Sequence, residues 1–234
     1  MIPPVESSPE VAVWRVRLDP GAREAQMRAV LSAEETERLE RLDRTAVGRR
    51  WLVSRAVLRE ILATELGTGP EEVRLRLGDH GRPGLDPHAH RTDLDFNLSH
   101  SGELALIGVA RGLRIGIDVE RLRPGRDPLR IANRYFSPAE VAAVKAFPPR
   151  ERPEAFLRYW TGKEALAKGL GLGLQAAPGE LELVRTTGGA MAPARRAGEW
   201  QLLEIGVPDG YRATLAVNAP EARVRTRDWP PAAP

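Results

Sequence analysis

Apolar and polar residues alternate along Val11-Ala12-Val13-Trp14-Arg15-Val16-Arg17-Leu18, which predicts an opening strand with one buried face. Ser32-Ala33-Glu34-Glu35 has the form of a capping box and predicts a helix running toward Leu42. From Gly48 to Leu66 the apolar period lengthens: Trp51, Val53, Val57, Leu58, Ile61 and Leu62 form a broad helical face that stops at Gly67. Val73 to Leu77 alternates again as a half-buried strand, and Gly78 to Arg91 reads as a Gly/Pro/His loop. Phe96 to Gly102 leads into an apolar strand, Leu104 to Ala110, a turn at Arg111-Gly112 and a returning strand, Arg114 to Val119. Ser137-Pro138-Ala139-Glu140 opens another helix, and a longer one runs from about Pro153 to the Gly169-Leu170-Gly171-Leu172-Gly173 stop. Trp200 to Ile205 and Tyr211 to Val217 form a late hairpin through Pro208-Asp209-Gly210, and the Pro-rich end from Asp228 reads as frayed.

This order is mixed, without a regular βαβ alternation, and predicts an α+β fold. Helices accompany strands on both sides of the central hairpin. The division expected is an N-terminal half, 1–103, and a C-terminal half, 104–234, although no residue-level repeat is visible. At 234 residues, 42% hydrophobic and 29% charged, the chain has the composition of a soluble globular protein. No apolar run approaches the roughly 20 residues of a membrane helix. Met1 to Glu6 lacks the basic and apolar regions of a signal peptide, so the expectation is a cytoplasmic protein without a membrane partner. The absence of cysteine excludes disulfides, thiolate nucleophiles and Cys-type zinc sites.

Two short segments carry the chemistry. In Gly116-Ile117-Asp118-Val119-Glu120 the two acids stand at i and i+2 of a strand and share a face, opposite Ile115, Ile117 and Val119. They would repel one another unless a cation sat between them. In Trp160-Thr161-Gly162-Lys163-Glu164-Ala165-Leu166-Ala167-Lys168 the residues Trp160, Glu164 and Lys168 form one helical stripe. Three carboxylates beside ammonium groups suit Mg²⁺ and phosphate oxygens. Of 35 Lys and Arg residues only Lys145, Lys163 and Lys168 are lysine, which makes the pair in this helix conspicuous. Other readings stand beside these. Thr161-x-x-Glu164 and Ser137-x-x-Glu140 both fit capping boxes, and His100, between Ser99 and Ser101, fits either a structural loop histidine or a phosphate site.

Several familiar patterns do not apply. Adjacent Ser and His on an extended chain point apart and no nucleophile elbow is present. His88-Ala89-His90 lacks further zinc ligands, Thr161-Gly162-Lys163 lacks the earlier glycine of a P-loop, and the Gly169 to Gly173 series follows a helix. A basic nucleic-acid module would interleave aromatics with its arginines, yet aromatics are 5% and the arginines are scattered, so no nucleic-acid partner is expected.

Taken together the segments resemble the Sfp-type 4′-phosphopantetheinyl transferases. Ile115 to Glu120 is similar to that family's (V/I)-G-(I/V)-D-x-E strand, and Trp160 to Lys168 to its W-(S/T/C)-x-K-E-(A/S)-x-x-K helix. Phe96-Asn97-Leu98-Ser99-His100-Ser101 resembles F-N-x-S-H-S, and Phe136 to Glu140 resembles F-(S/T)-x-x-E. The resemblance implies two similar α+β halves related by a pseudo-twofold axis, in a monomer, with coenzyme A in the cleft between them. It implies Mg²⁺ on Asp118, Glu120 and Glu164, with Arg50 on the 3′-phosphate. Gly81-Arg82-Pro83 resembles a nucleotide-contacting G-K-P loop with Arg in place of Lys. Ser99 and His100 would then touch phosphates, and Lys163 and Lys168 the pyrophosphate and pantetheine arm. The implied reaction transfers 4′-phosphopantetheine from coenzyme A to a serine of an apo acyl or peptidyl carrier protein and releases adenosine 3′,5′-bisphosphate. Lys168 and His100 would stabilise the leaving group, and Glu164, or Glu140 through water, would take the serine proton.

Overall fold

The structure is a computed structural model, which describes residues 8–19, 21–42, 45–78, 81–123, 125, 127–172, 181–195 and 198–230. The leader expectation for Met1 to Glu6, the Gly173 end of the glycine series and the last four residues of the Pro-rich tail lie outside them.

In chain order the elements are β1 (Glu10–Arg17), α1 (Glu24–Ala29), α2 (Ala33–Arg41), α3 (Ala46–Leu66), β2 (Leu75–Leu77), β3 (Pro83–Leu85), β4 (Leu94–Ser101), β5 (Leu104–Arg111) and β6 (Ile115–Arg121). They are followed by α4 (Pro128–Tyr135), α5 (Pro138–Lys145), α6 (Arg152–Leu170), β7 (Leu183–Arg185), β8 (Met191–Pro193), β9 (Gln201–Glu204), β10 (Tyr211–Val217) and β11 (Arg223–Trp229). The fold is α+β, as the mixed order predicts. Two larger sheets stand face to face, one ordered β11-β1-β5-β4 and the other β6-β10-β9.

The alternation in each strand explains the layering. On β1, Val11 and Val13 join Leu104 and Leu106 of β5 and Ile115, Ile117, Val119, Leu215 and Val217 in one buried apolar cluster between the sheets. The outer face of the first sheet, with Val16, Phe96 and Ile107, is covered by Leu52, Val57, Leu58, Ile61 and Leu62 of α3. Each such side chain contributes about 1.5–3 kcal/mol on leaving water. The outer face of the second sheet is covered by α6, whose Leu166 and Phe156 join Phe136, Val144, Leu202 and Ala216.

Three features depart from the sequence-based expectations. Inside the expected Gly78 to Arg91 loop, Pro83–Leu85 is a strand paired antiparallel with Leu75–Leu77. A division at 103/104 cuts the β4–β5 hairpin, whose strands pair from Leu94↔Arg111 to Ser101↔Leu104. The sheets part instead after Arg111, at the next turn. The chain end also does not fray at Asp228. Residues Arg223–Trp229 run parallel to β1, Arg15 binds the Asp228 carboxylate at 2.8 and 2.9 Å, and Trp229 meets Trp14 edge-on.

Candidate active site

The site begins with a glycine. A Cβ on Gly116 would lie 2.0 Å from the Ala165 carbonyl oxygen and 2.3 Å from the Gly169 nitrogen, so only glycine lets the backbone of α6 rest directly on β6. That contact brings the α6 stripe over the outward face of β6. Thr161 lies in the middle of α6, donating to the Leu157 carbonyl and meeting the Thr214 hydroxyl at 2.9 Å. Glu164 is therefore a mid-helix residue, and the capping alternative for it falls away.

Asp118 is 4% exposed. Its Oδ1 accepts from Ser99 Oγ at 2.8 Å and from Lys168 Nζ at 2.7 Å, while its Oδ2 is buried without a hydrogen-bond partner. Glu120 Oε2 accepts from Ser101 Oγ at 2.8 Å. Lys168 places its remaining donors on Ser99 Oγ and the Ile117 carbonyl, both at 3.1 Å. Glu164 is pushed up to about 7, chiefly by burial, next by repulsion from Asp118, against the attraction of Lys168 and with Glu120 adding to the rise. Glu120 is likewise raised, first by burial, with the Ser101 hydrogen bond opposing and Asp118 reinforcing. His100, on the opposite side of β4 from Ser99 and Ser101, is lowered by burial and then by the positive charges of Lys168 and Arg50. Arg50 on α3 lies 3.8 Å from Glu103.

Among the described residues no three acidic or histidine side chains are grouped so that they could hold a metal ion as they stand. The donor set nevertheless fits a hard cation: three carboxylates face one ammonium, and a buried carboxylate oxygen is left unsatisfied.

Other residues singled out in the sequence lie elsewhere. Lys163 and Glu140 are each 1% exposed. Lys163 Nζ donates to both Glu140 oxygens and to the Leu181 carbonyl, all at 2.9 Å. Glu140 Oε2 accepts from Ser137 N at 2.7 Å, closing the capping box of α5, and its Oε1 accepts from Leu183 N at 2.8 Å. The structure does not bring this pair to the Asp118 cluster. Arg82 reaches across the two sheets: Nη2 lies 2.9 Å from both Asp95 oxygens and the Ile115 carbonyl, and Nη1 donates to the Lys168 carbonyl at 2.8 Å. With Pro83 it lines an open cleft whose far wall is Arg114, Leu170 and Gly171. A second groove, lined by Leu122, Ile131, Phe156 and Trp160, opens beside Glu120.

Asp95 and Asn97 received no role from the sequence, and Ser101 entered only as a hydroxyl beside His100, yet each binds a β6 backbone N–H. A signal was present: from Asp95 to Ser101 every second residue is short and polar, between the apolar Leu94, Phe96 and Leu98. Arg212 was also missed. It stands opposite Glu120 in the β10–β6 register and pairs with Glu154 of α6.

A family model of the 4′-phosphopantetheinyl transferase superfamily matches residues 114–216, and one described as 4′-phosphopantetheinyl transferase, N-terminal, matches residues 19–111. The chain is 37% identical over 211 residues to the 4′-phosphopantetheinyl transferase HetI of Nostoc sp., covering 90% of this chain and 88% of that protein. It is 32% identical over 151 residues to a 4′-phosphopantetheinyl transferase of Bacillus subtilis, covering 64% of this chain and 65% of the relative. With the 4′-phosphopantetheinyl transferase AcpT of Escherichia coli K12 the identity is 38% over 120 residues, 51% of this chain and 56% of that one.

Proposed function

The chain belongs to the 4′-phosphopantetheinyl transferases, and from that premise we propose that it moves 4′-phosphopantetheine from coenzyme A to a serine of an apo acyl or peptidyl carrier protein, releasing adenosine 3′,5′-bisphosphate. The observation that carries the reading to named residues is the unbalanced cluster of Asp118, Glu120, Glu164 and Lys168, with one buried Asp118 oxygen unsatisfied. Asp118, Glu120 and Glu164 would hold Mg²⁺, which when bound supplies positive charge to the pyrophosphate oxygens.

The chain's own groups do the rest. Arg82 and Pro83 border the cleft that takes the nucleotide, with Arg50 and His100 toward the phosphates on the α3 side. Lys168 offers the ammonium nearest the carboxylates, so it balances charge as the bisphosphate leaves. Glu164, on the α6 stripe beside Asp118 and Glu120, is the carboxylate we assign to accept the proton of the incoming serine. Glu140 and Lys163 hold α5 against α6 through their mutual pairing and take no part in proton transfer. The nucleophile belongs to the carrier protein, so this chain need not supply an activated one. The same reading makes the working unit a cytoplasmic monomer.

The deciding experiment incubates the protein with coenzyme A, Mg²⁺ and an apo carrier protein and weighs the carrier. A mass gain of one phosphopantetheinyl group, abolished by a chelator, is expected. No gain with any acyl or peptidyl carrier, from protein that binds coenzyme A, would sink the assignment.

A further inference from the structure

We propose that Ser101 is a positioning residue for Glu120, acting within a polar side-chain ladder on β4 that sets the carboxylates of β6. The inference rests on the reading of Asp118, Glu120 and Glu164 as cation ligands.

Strand β6 lies at the edge of its sheet, hydrogen-bonded to β10 on one side only. An unpaired strand edge inside a protein leaves N–H groups that must find acceptors. Here β4 supplies them with side chains instead of backbone. Asp95 Oδ2 accepts from Ile115 N at 2.9 Å, Asn97 Oδ1 from Ile117 N at 2.7 Å, Ser99 Oγ from Val119 N at 3.3 Å, and Ser101 Oγ from Arg121 N at 3.1 Å. The two strands thus run alongside each other in a fixed register.

The last two rungs do more than satisfy the edge. A hydroxyl has one proton and two lone pairs. Arg121 N–H can only donate, so it takes a lone pair of Ser101 and leaves the hydroxyl proton for Glu120 Oε2, 2.8 Å away. Ser99 accepts from Val119 N and Lys168 Nζ, which directs its proton to Asp118 Oδ1. Each serine therefore links a backbone N–H of β6 to the carboxylate one residue before it. Two like charges on one face would otherwise swing apart; the hydroxyls fix one oxygen of each. Ser99 also touches Lys168, whereas Ser101, 5% exposed, has Glu120 as its side-chain partner and isolates the positioning effect.

Mn²⁺ titration of the full chain, followed by the electron paramagnetic resonance of the free ion, tests this without catalysis. Ser101→Ala should weaken Mn²⁺ binding about tenfold, as loss of a partner that orients a ligand does, and Ser101→Thr, which keeps the hydroxyl, should restore it to within about threefold. Asn97→Ala removes a rung that touches no carboxylate and should lower the melting temperature while Mn²⁺ affinity stays within about twofold. If Ser101→Ala does not fold, Ser101→Gly, which also lacks the donor, replaces it. Wild-type affinity in the Ser101→Ala or Ser101→Gly protein, with Glu120→Gln impaired, overturns the positioning role. Wild-type affinity in Glu120→Gln itself overturns the cation assignment beneath it.

Discussion

Helix α6 holds two lysines against acidic groups, and the two surroundings differ in balance. On one side Lys163 meets a single carboxylate, Glu140, the pair is buried, and each Glu140 oxygen accepts two hydrogen bonds. On the other side Lys168 stands before Asp118, Glu120 and Glu164, with an Asp118 oxygen left bare and the Glu164 proton held to about 7. A matched, saturated pair has nothing to offer a ligand. A mismatched cluster at a cleft lowers its energy by taking up a cation or a proton, which is what phosphoryl transfer uses.

The largest effect should come from disturbing both sides together. Gly116→Ala drives a methyl into the α6 backbone, and we expect a loss of about 3 kcal/mol or more in urea unfolding, with transfer lost as well. Separating the two sides comes next. Lys163→Met leaves Glu140 buried and unpaired and should cost about 3–5 kcal/mol. Lys168→Met should cost less than half of that in unfolding while lowering transfer by more than the roughly 10–100-fold typical of losing an orienting partner. Equal stability losses in the two variants would erase the distinction.

A smaller effect follows from Glu164. An acid whose folded pKa lies above its unfolded value holds its proton more tightly when folded. Its stabilising contribution is complete below the ordinary value of 4.5 and disappears as the pH rises through about 7. Without divalent cation, Glu164→Gln should therefore gain stability relative to the parent between about pH 5 and about pH 8 in melting experiments. A difference independent of pH would mean that Glu164 is not crowded by its neighbours.

Much of this was legible in the sequence, for identifiable reasons. Alternation placed Asp118 and Glu120 on one face, and the capping boxes at Ser32 and Ser137 formed as their spacing predicts. What failed was non-local. Lys163 and Lys168 look alike in sequence, but five residues turn a helix by about 140° beyond a full circle, so they serve opposite sides. Strand β11 pairs with β1 from the far end of the chain; arginine stands at every second position in it, but neither face is buried, so no apolar side marks the strand. The ladder on β4 was written in its polar alternation, yet its partner, the edge of β6, appears only when the sheets are packed.

One comparison in a single assay tests the account most directly: phosphopantetheinylation of an apo carrier, followed by mass and normalised to folded protein. It sets a Glu140→Gln/Lys163→Gln variant, which turns the sealed ion pair into neutral amides, against Glu164→Gln. We predict that the double variant keeps transfer within about tenfold of the parent while Glu164→Gln falls more than about a hundredfold. The reverse order would contradict the division between a structural and a chemical side of α6.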